Sequence, residues 1–401
     1  MFQFFKTPTQ SLSTNLKYLK YINILYGLNF FTPYLALYLQ DKLISLSLVA
    51  LVFTIETFGK IIFEFPSGFV SDIFGRRKTL ILASLIRIIS FAFLLFAPHT
   101  IFYIFYAILS AAAHCLRSGT DESLIFETCH ELDQDKVYQR EIGRYFSLYT
   151  IGATISAIIA GLLATISVEF TIWASFIPSS LVVYISMLLV EPHYHKTETH
   201  DFKKHLAVLK QNLLKSLNLK YILLFNSLLV AIYSIFNKFN SVYFEFKNID
   251  ISEIAYFIAL FFLLNSSGYR LSHKLSKRFT SFKTLTFSIV TLGFAVTLST
   301  FVTSYLSVFI FLTSGFFYAI CTPILSEIIN INTDSEIRVS THSITNLLIN
   351  LFIFALTTVM SLSANFFNIN HLFFMLSLIP LLILGLYFQT INKIVQTSKL
   401  D

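Results

Sequence analysis

Two sets of charged side chains sit inside runs that are otherwise apolar. Glu56, Lys60 and Glu64 recur every four residues in LVFTIETFGKIIFEF, and Arg117 and Asp121 stand four apart in HCLRSGTDESLIFET. Four residues turn a helix by about 400°, so neighbours at this spacing lie within about 40° of one another and can pair. A charge in an apolar span is costly against lipid and turns to a protein interior or a wet path. A carboxylate held there can carry a proton. The first set has two acids for one base, so the less well paired of Glu56 and Glu64 is the expected titrating group. Asp121, beside Arg117 and nearer the membrane surface, is the rival site. For both sets a purely structural ion pair is the alternative. No nucleophile–base set or phosphate loop accompanies them, so an enzyme is not expected. His193, His195, His200 and His205 cluster only in a polar stretch, and Cys115, Cys129 and Cys321 lack metal-ligand spacing. Neither metal nor cofactor is expected.

A third charged group, EFPSGFVSDIFGRRK at 64–78, lies between two apolar runs. It reads as a helix end, a tight turn and a basic anchor. Gly68 would permit close helix approach, and Gly75 the positive φ of a sharp reversal. Asp72 ends one helix, where arginines or a helix N-terminus would hold it. Arg76, Arg77 and Lys78 prefer a cytoplasmic surface.

These groups need apolar helices to position them. The chain is 55% hydrophobic and 13% charged, with 45 Phe and 20 Tyr among 401 residues, which no ordinary soluble domain matches. About twelve runs reach the roughly 20 apolar residues that a span needs. Numbered helices 1 to 12 in chain order, they lie near 18–39, 46–71, 78–97, 100–125, 143–166, 168–190, 219–243, 252–270, 282–302, 304–329, 339–363 and 368–391. Lys and Arg gather in alternate connections, leaving little but Lys42 and Lys247 on the other side. That asymmetry places both termini and the 191–218 stretch in the cytoplasm. The net charge of +7 then points to anionic lipid and not to nucleic acid. The polar, basic N-terminus shows no removable signal peptide. In 191–218, HLAVLKQNLLKSL has the pattern of a surface amphipathic helix. Gly152, Ser156, Ala160 and Ala164 form a small-residue stripe on helix 5 that would admit a neighbouring helix. Gly68 and Gly268, Lys78 and Arg278, and Glu127 and Glu327 match at an offset near 200, and Arg140 and Arg338 after a short slip. The chain therefore divides into 1–190, a linker 191–218, and 219–401, two six-helix bundles.

The order G-x-x-x-D-x-x-G-R-R-K, with E-F-P-S before it, resembles the helix 2–3 loop of the major facilitator superfamily. The S-G-T-D-E-x-L run of helix 4 is similar to the same family's helix 4. The resemblance implies an all-α fold of two pseudo-symmetric bundles, secondary transport by alternating access, and no enzymatic activity. It implies that Gly68, Asp72, Gly75, Arg76 and Arg77 form a cytoplasmic gate motif, with Glu127 as a partner. It implies that helices 1, 4, 7 and 10 line a central cavity, which would place Asn29, Tyr34, His114, Arg117, Tyr233, Asn237 and Tyr318 there. Aromatic and amide groups suit an amphipathic organic solute. The arginine on helix 4 resembles the drug/proton antiporter branch, which implies a monomer in a bacterial inner membrane that exports a drug- or antibiotic-like compound against protons. The glycine–proline signature of that branch is missing from helix 5, and proton-driven uptake of a metabolite is the alternative. A membrane-embedded enzyme and a non-transporting receptor stand further off.

Overall fold

The computed structural model describes residues 12–97, 99–133, 138–192, 217–331 and 338–382, and these contain helices and turns but no strand. Eleven stretches among them are long and apolar enough to cross a membrane, and Ile369–Leu382 adds a shorter apolar helix. Large side chains such as Leu162, Ile177, Phe287 and Phe294 are more than half exposed, as helices set in hydrocarbon require.

In chain order the helices are α1 (Asn15–Gly27), α2 (Leu35–Leu43), α3 (Leu46–Phe74), α4 (Arg76–Leu95), α5 (Thr100–Arg117), α6 (Thr120–Glu131), α7 (Tyr138–Ala164) and α8 (Val168–Met187). After the linker come α9 (Leu217–Phe246), α10 (Ile251–Phe279), α11 (Ser281–Phe301), α12 (Ser304–Ile331), α13 (Arg338–Ser363) and α14 (Ile369–Leu382).

Two spans expected to be single helices are broken. The first stops at Gly27 and resumes through the short turn Thr32–Tyr34. The ladder ends where Leu28 leaves the helical region, at ψ 64°, and Pro33, which has no N–H to donate to Asn29, keeps it from running on unbroken. The fourth breaks between Arg117 and Thr120. Gly119 adopts φ 78° there, a conformation that costs other residues energy.

The chain forms two compact units. One takes Met1–Thr32 with Ile55–Glu198, and the other Pro33–Thr54 with Thr199–Asp401. The second unit therefore includes α2 and the start of α3, a piece of the N-terminal sequence half.

In the first unit α1 packs on α7 and α8, and α4 on α5 and α8. A Cβ at Gly152 would strike the carbonyl of Ile24, and one at Gly27 the carbonyl of Tyr149. The small stripe on α7 thus lets two backbones meet. In the second unit α10 and α11 both pack on α12, and α9 packs on α13 and α2.

The halves repeat in structure, with a local shift in register. α10 and α11 begin 205 residues after α3 and α4 (Ile251 against Leu46, Ser281 against Arg76). Gly75, φ 87°, and Thr280, φ 71°, hold the same place before their helices. At this turn Gly75 therefore corresponds to Thr280. Gly68 and Gly268 also behave differently. A Cβ on Gly268 would collide with the Phe316 carbonyl, whereas one on Gly68 would meet nothing within 4 Å. The close approach expected at Gly68 is absent.

Candidate functional site

The charged groups of the first unit form two sets, one at the α3–α4 turn and one at the helix breaks. At the turn, the positive φ of Gly75 lets the chain reverse and start α4 with three basic residues. Arg76 is paired with Glu127 of α6: its Nε and Nη2 both lie 3.0 Å from Glu127 Oε1. Its Nη1 donates to Ser71 Oγ at 2.7 Å. The backbone N–H groups of Arg76 and Arg77 donate to the Glu191 carboxylate at 2.5 and 2.9 Å, so Glu191 caps the positive end of α4. Arg77 Nη2 donates to the Met187 carbonyl at 2.5 Å. Asn15 of α1 ties in the same region, donating to the Val190 carbonyl at 2.7 Å and accepting from the Val190 N–H at 2.9 Å. All these partners lie in one unit. Asp72 stands on the last turn of α3, and its side chain is outside the described residues. So is nearly all of the linker, including the four histidines.

The second set gathers at the breaks in the first and fourth spans. Arg117, the last residue of α5, pairs through Nε with Asp121 Oδ2 at 3.2 Å across the Gly119 turn. Its Nη2 donates to Tyr145 Oη of α7 at 2.8 Å and also to Asn23 Oδ1 of α1. Tyr145 donates its hydroxyl onward to Asp121, and its carbonyl accepts from Asn23 Nδ2 at 2.5 Å. Four helices thus meet on one ion pair, and both its side chains are largely buried, 16% exposed for Arg117 and 8% for Asp121.

Tyr26 of α1 adds an aromatic face to this set. Arg117 Cζ lies 3.8 Å from its ring centroid, and Arg87 Cζ of α4 lies 3.9 Å from it. Arg87 also donates to the Tyr26 carbonyl at 3.3 Å and approaches the Phe91 ring. Arg87 and Tyr145 escape a reading based on charge pairs at helical spacing. Arg87 nevertheless stands out in SLIRIISF as the only charge in that run.

The helix 2 ladder is only partly built. Lys60 pairs with Glu56 at 2.7 Å, whereas Glu64 is exposed. The expected sharing of Lys60 between two acids is therefore reduced to one pair. Further along unit 1, Glu141 holds Lys20 and, at 3.3 Å, Arg144.

The residues proposed from sequence to line a cavity are placed as follows. Asn29 falls in the break of the first span, and its amide oxygen is buried without a hydrogen-bond partner. His114 is exposed on the last turn of α5. Tyr34 is fully buried and donates to the Ile251 carbonyl at 2.7 Å, because Pro33–Thr54 packs within the second unit. It lines no open space. Tyr233 and Tyr318 stack at 3.5 Å, and Tyr233 donates to Asn265 Oδ1 at 3.0 Å. Asn237 is partly buried and accepts weakly from Asn240. Lys247, outside the spans, donates to the Thr300 and Val302 carbonyls at 3.2 and 2.7 Å, and burial lowers its pKa.

The major facilitator superfamily model matches residues 21–357. No curated protein matches the sequence. Among solved structures, the nucleoside transporter NupG superposes with TM-score 0.76 at 13% identity, over 95% of this chain and 99% of that one. A bacterial homologue of the human lysosomal transporter Spinster, inward-facing and occupied, gives TM-score 0.79 at 13% identity, over 98% of this chain and 100% of that one. A D-xylose–proton symporter gives 0.67 at 12% identity, over 93% and 96%. At these identities the likeness is one of fold, and the family match extends it to sequence. The chain belongs to the major facilitator superfamily, a family of transporters and not of enzymes.

Proposed function

We propose that this chain is a secondary transporter that moves a small organic solute by alternating access and couples that movement to protons. The observation that carries the coupling is the buried Arg117–Asp121 pair at the break of the fourth span, bridged by Tyr145 and Asn23. Neutralising Asp121 removes the counter-charge of Arg117 and loosens four helices at once. The partial ladder pairs Glu56 with Lys60 on consecutive turns of one helix, whereas the Arg117–Asp121 pair directly engages Tyr145 and Asn23 of two further helices. Asp121 is therefore the first coupling acid, and Glu56 the second. The 1–190 and 219–401 bundles, joined by 191–218, would supply the two moving parts, and the bonds that Tyr34 and Ser47 make with Ile251 and Ser361 would open as they move. The Arg76–Glu127–Glu191 set would stiffen the cytoplasmic turn, together with Asp72. The protein would act as a monomer in a bacterial inner membrane with both termini in the cytoplasm.

Export of a drug-like compound is the direction that the helix 4 character supports. Uptake with a proton is the second reading, supported by the likeness to a D-xylose–proton symporter. Proteoliposomes loaded with a pH-sensitive dye separate the two, because inward movement of an added solute acidifies the lumen by symport and alkalinises it by antiport. Across a panel of drug-like compounds, sugars and nucleosides, at least one solute should move protons with the wild type. Asp121→Asn should lose that signal by about tenfold or more, equivalent to about 1.4 kcal/mol, while retaining solute exchange, because the amide takes up no proton. If Asp121→Asn retains the full proton signal and Glu56→Gln abolishes it, coupling belongs to the helix 2 pair.

A further inference from the structure

Arg87 sits about 17 Å along α4 at 1.5 Å per residue, half-way through a hydrocarbon core of about 30 Å. A guanidinium at that depth ordinarily has a carboxylate beside it. Arg117 has Asp121, Lys60 has Glu56 and Arg76 has Glu127. Among the described residues no acid pairs with Arg87. The groups that act on it are the phenols of Tyr26, Tyr106 and Tyr149 and the second guanidinium, Arg117. Tyr26 supplies the hydrogen bonding of Arg87, through one long contact to the carbonyl and through the neutral phenol, and its ring contacts to Tyr26 and Phe91 attract the charge without neutralising it. The cluster of two arginines and one aspartate carries one excess positive charge. Side-chain packing alone does not call for this, since an apolar residue of similar length would fill the space without the desolvation cost.

We propose that Arg87 receives the anionic oxygen group of the transported solute, a carboxylate or a phosphate monoester, with Tyr26 holding the guanidinium plane in position. The inference rests on the transporter reading and names the solute class: an organic anion. The planar fork of N–H donors matches either oxyanion in a bidentate manner. The ring of Tyr26, engaged by both arginines, fixes how Arg87 presents its free edge. Arg87 is a binding residue in this scheme, and Asp121, which stays with Arg117, is not.

The test uses the whole purified protein in detergent and a panel of matched probe pairs. Aliphatic and aromatic carboxylates are set against their amides, and phosphate monoesters against their parent alcohols. Thermal unfolding is followed at rising probe concentration, since a bound ligand raises Tm by mass action. In the wild type the anion of at least one pair should stabilise at concentrations at least tenfold below its neutral partner. Arg87→Gln should erase that preference, and Arg87→Lys should retain part of it, whereas Arg144→Gln, a change at an exposed arginine, should leave it intact. Carboxylate pairs that respond while phosphate pairs do not assign the group as a carboxylate, and the converse assigns a phosphate; either supports the inference. A wild type that prefers no anion over its neutral partner overturns it without need of any variant, and so does an anion preference unchanged in Arg87→Gln. Flux in proteoliposomes then separates the two readings. Selective anion binding without flux leaves the Arg87 site standing and removes the transport reading. Flux of a neutral solute with no anion preference does the reverse.

Discussion

The two units bury different chemistry. Among the described residues, Asp121, Glu127 and Glu141 are buried carboxylates of the first unit, and Lys247 is the only buried charged residue of the second. The second unit is instead built on rings. Phe311 lies within 6.2 Å, centroid to centroid, of Phe236, Tyr243, Phe244, Phe261 and Phe373, and Tyr233 stacks on Tyr318. One fold repeat thus carries directional, all-or-none interactions and the other carries graded ones. An ion pair is lost at a stroke when one partner is neutralised, whereas a ring cluster yields contact by contact. Loss of one charge should therefore disturb the first unit as a whole, and loss of one ring the second only locally.

The largest effect should come from breaking the charged side. Asp121→Ala leaves Arg117 buried beside Arg87 without a counter-charge and should cost about 3–5 kcal/mol. The double change Arg117→Met with Asp121→Leu should recover most of this. Thermal unfolding in one detergent compares them, and a double variant no more stable than the single would mean that charge is not what unit 1 stores. Next, Gly268→Ala should destabilise by about 1–3 kcal/mol as its methyl meets the Phe316 carbonyl, while Gly68→Ala, facing open space, should stay within about 0.5 kcal/mol. Equal effects would erase the distinction drawn between the two repeats. Tyr318→Leu should cost about 0.5–1.5 kcal/mol beyond its lost area, the worth of one stacked pair, and a cost matching Asp121→Ala would show that the ring cluster is also all-or-none. The smallest change is expected for Glu191→Gln, which keeps hydrogen bonding to the α4 N–H groups but gives up the charge at the helix end, worth about 0.3–1 kcal/mol and weakened by salt.

The apolar runs and their number were legible because a membrane span is a local property of about 20 residues. The Gly75 reversal and the Arg117–Asp121 pair were legible for the same reason, since each is decided within a few positions. The break of the first span was signalled by Pro33, but the length and hydropathy of the run outweighed it. The break at Gly119 was masked by the helical spacing of the pair that spans it. Glu191 reads as the start of a polar linker, and its place on α4 depends on a partner 115 residues away. Tyr145 likewise reaches Asp121 across 24 residues, and no periodicity encodes such a meeting. Arg87 was visible as a charge in an apolar helix. What the sequence could not show is the lack of an acid beside it.

Residues 33–54 are made early but belong with parts of the chain made late. Tyr34 bonds to the carbonyl of Ile251, 217 residues on, and Ser47 and Ser361 exchange two hydrogen bonds across 314 residues, at 2.5 and 2.9 Å. At a synthesis rate of about 5–20 residues per second, the second partner leaves the ribosome about 16–60 s after the first. Closing so long a loop is also slow compared with packing between sequence neighbours. Until these partners emerge, α2 and then the head of α3 stand in the bilayer without the surfaces they settle on. The first hairpin to be inserted is among the last to be completed, and a chain that stalls before α13 leaves its opening segment unfinished.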